Sequence, residues 1–311
     1  MFHCNGWCFT WAVTAVGGTH VCLRKVEADR IWDLFDTEGI THYNAAPTVH
    51  TGLVNYPRAH RLDHSVTATM GGAPPSPTLL QRLRDLNFQP VQVYGLTESY
   101  APITTNHVRK AWETLLIGEQ MRLLARQGQG HVTADFVRVV DENMQDVPRD
   151  GETLGEVVMR GNIVMKGYVE QPEATREAFA GGWFHSGDLA AWHADGLIEL
   201  RDRKKDIIIS GGENISTIEV EQTIAELPAV LEVAVIAIPD EQWGERPKAF
   251  VTLKPNSRGT APEIIQHCRE RLPHFKCPAA VEYGDLPKTS TGKVQTYVLR
   301  EREWMGYERI H

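Results

Sequence analysis

The sequence predicts an α/β protein: a parallel α/β layer with a small β-rich subdomain, followed by a small α+β domain. Three observations predict it. Strand-like and helical runs alternate from the first apolar segment to Tyr94. Two glycine-containing turns end consecutive strands one helix apart, where open α/β sheets bind ligands. After Asp206 the texture changes to strands and helices opened by capping-box patterns.

The elements follow in order. Residues 7–23 are apolar with a break at Gly17-Gly18, and Val21-Cys22-Leu23 reads as a short buried strand. Residues 28–38 place Ile31, Leu34 and Phe35 at helical spacing and stop at Gly39. Residues 41–46 return as a strand. Residues 66–70 form the next strand and run into Gly71-Gly72-Ala73-Pro74-Pro75. Helix is impossible there, and the backbone can approach a ligand closely. Ser76-Pro77 is an N-cap and first-turn pair, and Leu79, Leu80, Leu83 and Leu86 form the stripe of the helix it opens. Residues 89–94 are a strand leading into Gly95-Leu96-Thr97-Glu98.

Residues 107–130 read as helix, then loop. Residues 137–140, 155–159 and 162–169 read as short strands of the β-rich subdomain, and 172–180 as a short helix. Ser186-Gly187-Asp188 reads as an acidic turn, Asp195-Gly196 as a hairpin turn and residues 207–209 as an apolar strand. Ser216 to Glu219 and Thr260 to Glu263 are the capping boxes. Residues 233–238 and 249–253 are strands, and Ile264, Ile265, Cys268 and Leu272 share a helix face. The domain boundary is placed at residues 202–206, between 1–201 and 207–311.

Composition narrows the function. The 311 residues are 42% hydrophobic and 23% charged, enough apolar side chains for real cores. The net charge of −8, from 40 acids and 32 bases, argues against a general nucleic-acid binder. The five cysteines are odd in number and contain no CxxC pair, which points to free thiols in a reducing cytoplasm. His3, Cys4 and Cys8 lack the second ligand pair of a zinc site. No run reaches the roughly 18 apolar residues of a membrane span. No Lys or Arg precedes the apolar stretch at residues 7–16, as a signal peptide requires.

Several short patterns carry chemistry. In Tyr94-Gly95-Leu96-Thr97-Glu98 the ring can stack on a nucleobase, the glycine and hydroxyl can meet a phosphate, and the carboxylate can hold Mg²⁺. A structural turn is the plainer reading of those five residues. Asp188 can grip ribose hydroxyls or be an ordinary exposed turn residue. Pro287-Lys288-Thr289-Ser290-Thr291-Gly292-Lys293 is a small polar loop around a lysine. It is not a P-loop, because Pro287 and Val294 stand where that pattern needs Gly and Ser or Thr.

Taken together, Tyr94 to Glu98, Trp183 to Asp188, Asp202 to Asn214 and Pro287 to Lys293 resemble the AMP-forming acyl-CoA synthetases of the acyl-adenylate-forming superfamily. Further matches are Met1-Phe2-His3-Cys4-Asn5-Gly6-Trp7, Gly71-Gly72-Ala73-Pro74, and Arg160-Gly161-Asn162 through Lys166-Gly167-Tyr168. The resemblance covers essentially the whole chain and is strongest to ligases of short- and medium-chain fatty acids and the methylthio-propionate type. It implies part of the large AMP-binding domain, with a mobile C-terminal domain after it.

The resemblance also implies roles. Gly72, Ala73 and Pro74 would line the adenine, with Tyr94 stacked on the base. Gly95, Leu96 and Thr97 would meet the α-phosphate, and Glu98 would hold Mg²⁺. Asp188 would bind the ribose with help from Arg203. Lys293 and His3 would be the catalytic residues, with Lys293 reaching carboxylate and α-phosphate, and His3 and Trp7 would sit by the acyl group. Lys205 would be the hinge, and Gly211, Gly212 and Glu213 would line the coenzyme A path. ATP, AMP and coenzyme A are the implied ligands, with no nucleic acid and no membrane span; homodimerisation stays open. The family's Ser/Thr/Gly-rich phosphate loop precedes the motif that here starts at Phe2. The expectation is therefore an N-terminally truncated member without the first subdomain and with impaired adenylation. The alternatives are a non-catalytic AMP- or acyl-adenylate-binding remnant and another adenylate-forming enzyme.

Overall fold

The computed structural model describes residues 3–100, 102–132, 134, 136–289 and 292–307. Met1 and Phe2 of the first motif, and Ser290 and Thr291 of the lysine loop, lie outside the described residues. The chain divides into two compact units, one of Met1–Ser186 with Ala190–Leu200, the other of Gly187–Leu189 with Arg201–His311.

The first unit begins with α1 (His3–Trp7) and α2 (Phe9–Ala15), neither of which buries a residue. Val21, Cys22 and Leu23 are exposed and irregular rather than a buried strand. No described strand pairs with them, and a strand is held only by its ladder partners. Then α3 (Ala28–Thr37), β1 (His42–Ala45), α4 (Pro47–Val54), β2 (Val66–Met70), α5 (Pro77–Asp85) and β3 (Phe88–Tyr94) build the α/β layer. Strands β1, β2 and β3 are parallel, with Ala45 opposite Met70 and Met70 opposite Gln92.

Alternation sets the core of this layer. Val66, Ala68 and Met70 are fully buried on one face of β2 and pack with Leu79, Leu80 and Leu83 of α5. Trp32 and Phe35 of α3 meet Phe88 edge-to-face, with ring centroids 6.0 and 5.3 Å away. Ser76 caps α5 as its position predicts, accepting from the Leu79 amide at 3.2 Å. Ser76→Ala should lower the unit's stability by about 1 kcal/mol in denaturant unfolding; an unchanged midpoint would show that another group takes over the cap.

The sheet continues antiparallel through β4 (Thr104–Asn106) and β5 (Gln129–Gly130), with α6 (Ile117–Ala125) between them in sequence. Buried Asn106 fixes that helix to the sheet. Its amide donates to the carbonyls of Leu123 at 2.7 Å and Arg126 at 3.0 Å, at the helix C-terminus.

A second sheet has the order β6 (Phe136–Val140), β7 (Leu154–Arg160), β8 (Phe184–Trp192) and β9 (Ile198–Arg203), with α7 (Pro172–Ala178) preceding β8. Residues 162–169, expected as a strand, are turns and irregular backbone. The Tyr168 amide is spent on the Thr175 hydroxyl at 2.9 Å instead of on a ladder. Gly167 lies so close to Thr175 that a Cβ would sit 2.5 Å from its methyl.

In the second unit, β10 (Ile208–Ser210) and β11 (Glu213–Ile215) form a hairpin. Gly211 and Gly212 have φ of +60° and +88°, the positive pair that a two-residue type I′ turn needs. They are followed by α8 (Thr217–Ala225), β12 (Val230–Asp240), β13 (Gly244–Leu253), α9 (Ala261–Arg269), β14 (Ala280–Tyr283) and α10 (Thr296–Glu303). The sheet order is β11-β10-β13-β12, with β14 parallel to β13. Helices α8 and α9 bury Val220, Ile224, Ile264 and Cys268 against it. The box at Thr260 and Glu263 is reciprocal. That at Ser216 is one-sided: the hydroxyl accepts from the Glu219 amide, but the Glu219 carboxylate pairs with Lys276 at 2.7 Å.

Candidate functional site

The predicted residues fall into two sets, one in each unit. In the first unit they cluster at the ends of β2 and β3. Gly71 is pressed against β3: a Cβ there would lie 3.0 Å from the Val93 side chain and 3.2 Å from its carbonyl. Gly72 has φ +89°, and the place its Cβ would take has nothing within 4 Å. Gly72 and Ala73 are exposed and Pro74 is half-buried. This is a bare, open backbone edge, the kind a planar ring can approach.

Tyr94 ends β3 and is 8% exposed, packed with Ile103 and Phe184. Gly95 and Leu96 are half-buried and Thr97 is exposed. The turn is tied internally by Ser99, which is fully buried; its hydroxyl accepts from the Leu96 amide at 2.9 Å and donates to the Leu96 carbonyl at 3.0 Å. Glu98 is gripped from the loop before α7. Its carbonyl accepts from the Met165 amide at 2.7 Å, and its carboxylate accepts from the Tyr168 hydroxyl at 3.0 Å. Burial first, and then this carboxylate, raise the Tyr168 pKa, so the phenol keeps its proton and stays a donor. Among the described residues no three His, Cys, Asp or Glu side chains gather as a metal cage. One half-buried carboxylate fits Mg²⁺ shared with phosphates, which needs only one or two from the protein. His3 is exposed at the start of α1, and Trp7 donates its indole N–H to the Tyr100 carbonyl at 2.7 Å.

In the second unit Asp188 is not an exposed turn residue. It lies within β8 and is 6% exposed. The reason is pairing: the Gly187 carbonyl accepts from the Lys204 amide at 2.9 Å, which draws this segment into a strand. The Arg203 guanidinium stands 3.6 Å from the Asp188 carboxylate. Lys293 sits on a tight loop. The Thr289 amide donates to the Lys293 carbonyl at 2.8 Å, and the Lys293 amide donates to the Thr289 hydroxyl at 3.1 Å. Lys288 and Val294 bridge its base. The Lys293 residue is exposed overall, but protein crowds its amine. That partial desolvation, with the Arg203 charge, lowers its pKa from the ordinary lysine value; Asp188 and Asp206 oppose the shift. Asp188, Arg203 and Lys293 thus share one local field. Lys205 is exposed and adds a weaker repulsion.

Gly211, Gly212 and Glu213 are exposed at the hairpin tip. Trp243 braces them: its carbonyl accepts from the Gly211 amide at 2.9 Å, and a Cβ on Gly211 would meet its ring at 2.7 Å. The 202–206 segment contributes two members of an acidic group, Asp202 and Asp206, whose charges reach Glu221. The Asp202 carboxylate is buried and accepts from the Thr217 amide at 2.7 Å and the Arg203 amide at 2.8 Å. Burial pushes its pKa up to about 6. Glu221 is half-buried as a residue, but its carboxyl is enclosed, and burial pushes it up to about 8. Asp206 pairs with Arg300 at 2.6 Å.

Both raised carboxyls favour the protonated folded form. Their stabilisation is complete below the unfolded carboxyl range and is lost as pH rises through about 6 and then about 8. Hydrogen exchange in β12 and β13 should therefore quicken from pH 6 to 9, by up to about 1 kcal/mol of opening energy per pH unit after correction for intrinsic rates. Glu221→Gln should flatten that slope; an equal slope in the variant would remove Glu221 as its source.

The glycines, acids and lysine stand in recognisable motifs, whereas no sequence pattern assigns a role to Ser99, Tyr100, Tyr168 or Trp243. Ser99, Tyr100 and Trp243 act through backbone groups and Tyr168 through the Glu98 carboxylate, contacts that leave no spacing pattern; only proximity to the motifs flags them.

Family comparison agrees with this architecture. The model of the AMP-binding enzyme family matches residues 1–169, and that of the AMP-binding enzyme C-terminal domain matches residues 219–293. An acetate–CoA ligase of Humulus lupulus is 49% identical over 97% of this chain and 55% of its own length. An acetate/butyrate–CoA ligase of Arabidopsis thaliana, named as peroxisomal, is 46% identical over 97% of this chain and 55% of its own. The chain thus spans about half the length of the curated relatives it matches. The crystal structure of ATP-bound MatB from Rhodopseudomonas palustris superposes with a TM-score of 0.84 at 28% identity, covering 98% of this chain and 59% of that one. Among the described residues no helix is long and apolar enough to cross a membrane. The fold is the mixed α/β architecture of adenylate-forming enzymes, with a partial large domain and a small C-terminal domain, and the chain belongs to the AMP-binding enzyme family.

Proposed function

We propose that the chain is the nucleotide- and thiol-handling part of an acid–thiol ligase. ATP activates a short- or medium-chain carboxylic acid as its acyl-adenylate, and coenzyme A then takes the acyl group. The observation that supports this best is the field around Lys293: a partly dehydrated amine beside Arg203, opposed by Asp188 and Asp206. Such a cation stabilises charge that builds at an α-phosphate far better than a fully hydrated one.

In the first half-reaction a carboxylate oxygen attacks the α-phosphorus and pyrophosphate leaves with the bonding pair. Lys293 neutralises the equatorial oxygens. Asp188 accepts from the ribose hydroxyls, with the Arg203 guanidinium beside its carboxylate. Gly72, Ala73 and Pro74 lie along the base and Tyr94 offers it a ring. Gly95, Leu96 and Thr97 face the α-phosphate, and Glu98 holds Mg²⁺, which supplies positive charge to the phosphate oxygens. His3 and Trp7 border the acyl group. In the second half-reaction the thiol sulfur attacks the mixed-anhydride carbonyl, AMP leaves, and the thiol proton passes to solvent. Gly211, Gly212 and Glu213 line the thiol's path. Residues 1–201 and 207–311 act as the two domains, turning about Lys205 between the half-reactions. A cytoplasmic location goes with this reading, in keeping with five free thiols.

The test is a panel of labelled acids with ATP and Mg²⁺, with and without coenzyme A, read by mass spectrometry. Acyl-adenylate without coenzyme A, and acyl-CoA plus AMP with it, is the expected result. Adenylate that never reaches coenzyme A makes the chain another kind of adenylate-forming enzyme. AMP bound with no acid-dependent chemistry makes it a non-catalytic nucleotide binder.

A further inference from the structure

Tyr100 lies two residues beyond Glu98, outside the motif that drew attention to the turn. Its backbone has φ +60° and ψ −49°, a conformation that an L residue keeps only when its surroundings impose it. Burial is a poor candidate for that force, since Tyr100 is 47% exposed. Directed bonds are a better one. The Trp7 indole N–H donates to the Tyr100 carbonyl at 2.7 Å, and the Tyr100 hydroxyl donates back to the Trp7 carbonyl at 2.9 Å. The thiols of Cys8 and Cys4 point at the same Tyr100 carbonyl, at 3.5 and 3.9 Å. Burial and the neighbouring Cys4 push the Cys8 thiol up to about 11, so it remains a donor.

The pair closes a reciprocal clamp between α1 and the Thr97–Ser99 turn. Met165 and Tyr168 hold the same turn through the Glu98 carbonyl and carboxylate. One Glu98 oxygen is thereby oriented by Tyr168, while the clamp fixes the backbone that carries it. Metal–carboxylate bonding is sensitive to such outer contacts.

We propose that Tyr100 is a positioning residue for Glu98: its reciprocal bonds with Trp7 set the turn so that the Glu98 carboxylate meets a phosphate-bound divalent cation. The proposal rests on the metal role given to Glu98 above.

The experiment compares the full chain with its Tyr100→Phe and Trp7→Phe variants. Calorimetry reads ATP affinity with Mg²⁺ and, separately, with EDTA. The wild type gains affinity from Mg²⁺. Tyr100→Phe cuts that gain about five-fold, the size of one lost hydrogen bond, and leaves the metal-free affinity unchanged. In parallel, a thiol reagent with peptide mapping reads Cys4 and Cys8 against exposed Cys22. Both variants speed modification of Cys4 and Cys8 severalfold and leave Cys22 alone. Equal losses with and without Mg²⁺ reduce Tyr100 to a merely structural residue and overturn the positioning role alone. Unchanged Cys4 and Cys8 rates overturn the clamp. A wild type that binds ATP with no gain from Mg²⁺ overturns the Glu98 assignment and this proposal together. A wild type that binds no ATP overturns the nucleotide reading itself.

Discussion

Replacing Lys293 with alanine is expected to lower acid-dependent acyl-adenylate formation about 10²–10³-fold, the usual effect of losing one preorganised charge at a reacting oxygen. Single-turnover assays with labelled acid give a ratio even if the wild-type rate is slow. Two features make the lysine preorganised. Its loop is closed by the Thr289 bonds and the Lys288–Val294 bridge, so the backbone below it is fixed. Its amine has already lost part of its hydration, so less water must reorganise as charge develops. Lys293→Arg should not restore the rate, because a planar fork replaces a compact point charge. The pH dependence follows from the sign of the shift. A lowered lysine pKa means that the proton is lost at lower pH than usual, so the wild-type rate falls as pH rises through that lowered value. The alanine variant lacks this limb. A variant within about three-fold of wild type at every pH would remove Lys293 from the chemistry.

Asp188→Ala is expected to weaken AMP binding about a hundred-fold, the scale of two hydrogen bonds to a charged acceptor. Asp188 is buried in β8, and the Gly187–Lys204 backbone bond beside it survives the substitution. The strand therefore persists while the acceptor disappears. Asp188→Asn keeps the shape but converts one acceptor into a donor, and about a ten-fold loss is expected. Denaturant unfolding of each variant separates lost affinity from lost fold. AMP affinity equal to wild type in a folded Asp188→Ala protein would show that the ribose is held elsewhere.

Much of the fold was legible because periodicity reports burial. The alternation at residues 66–70 and the Leu79, Leu80, Leu83 stripe face one core, as their spacing predicts. The failures have physical causes. Residues 21–23 are apolar but have no described ladder partner. Residues 162–169 resemble a strand, yet the Tyr168 amide is taken by Thr175. Glu219 fits a capping box, but Lys276, far along the chain, captures its carboxylate. In the first case the ladder partner is missing; in the other two a group seven and 57 residues away takes the amide or carboxylate that the local pattern assigns elsewhere. The site divides similarly. Asp188 and Lys293 were legible as residue types in motifs, whereas burial of Asp188 within a strand and crowding of the Lys293 amine depend on the folded chain. The reciprocal bonds between Trp7 and Tyr100 join residues 93 positions apart, and no spacing announces them.

The proposed function requires that this chain hold an acyl-adenylate. The most direct test is calorimetric titration of the folded protein with a non-hydrolysable acyl-adenylate mimic. Saturable one-to-one binding is expected, largely abolished by Asp188→Ala and weakened by Lys293→Ala. Folded wild-type protein that shows no saturable binding of the mimic, or binding indifferent to both substitutions, would contradict it.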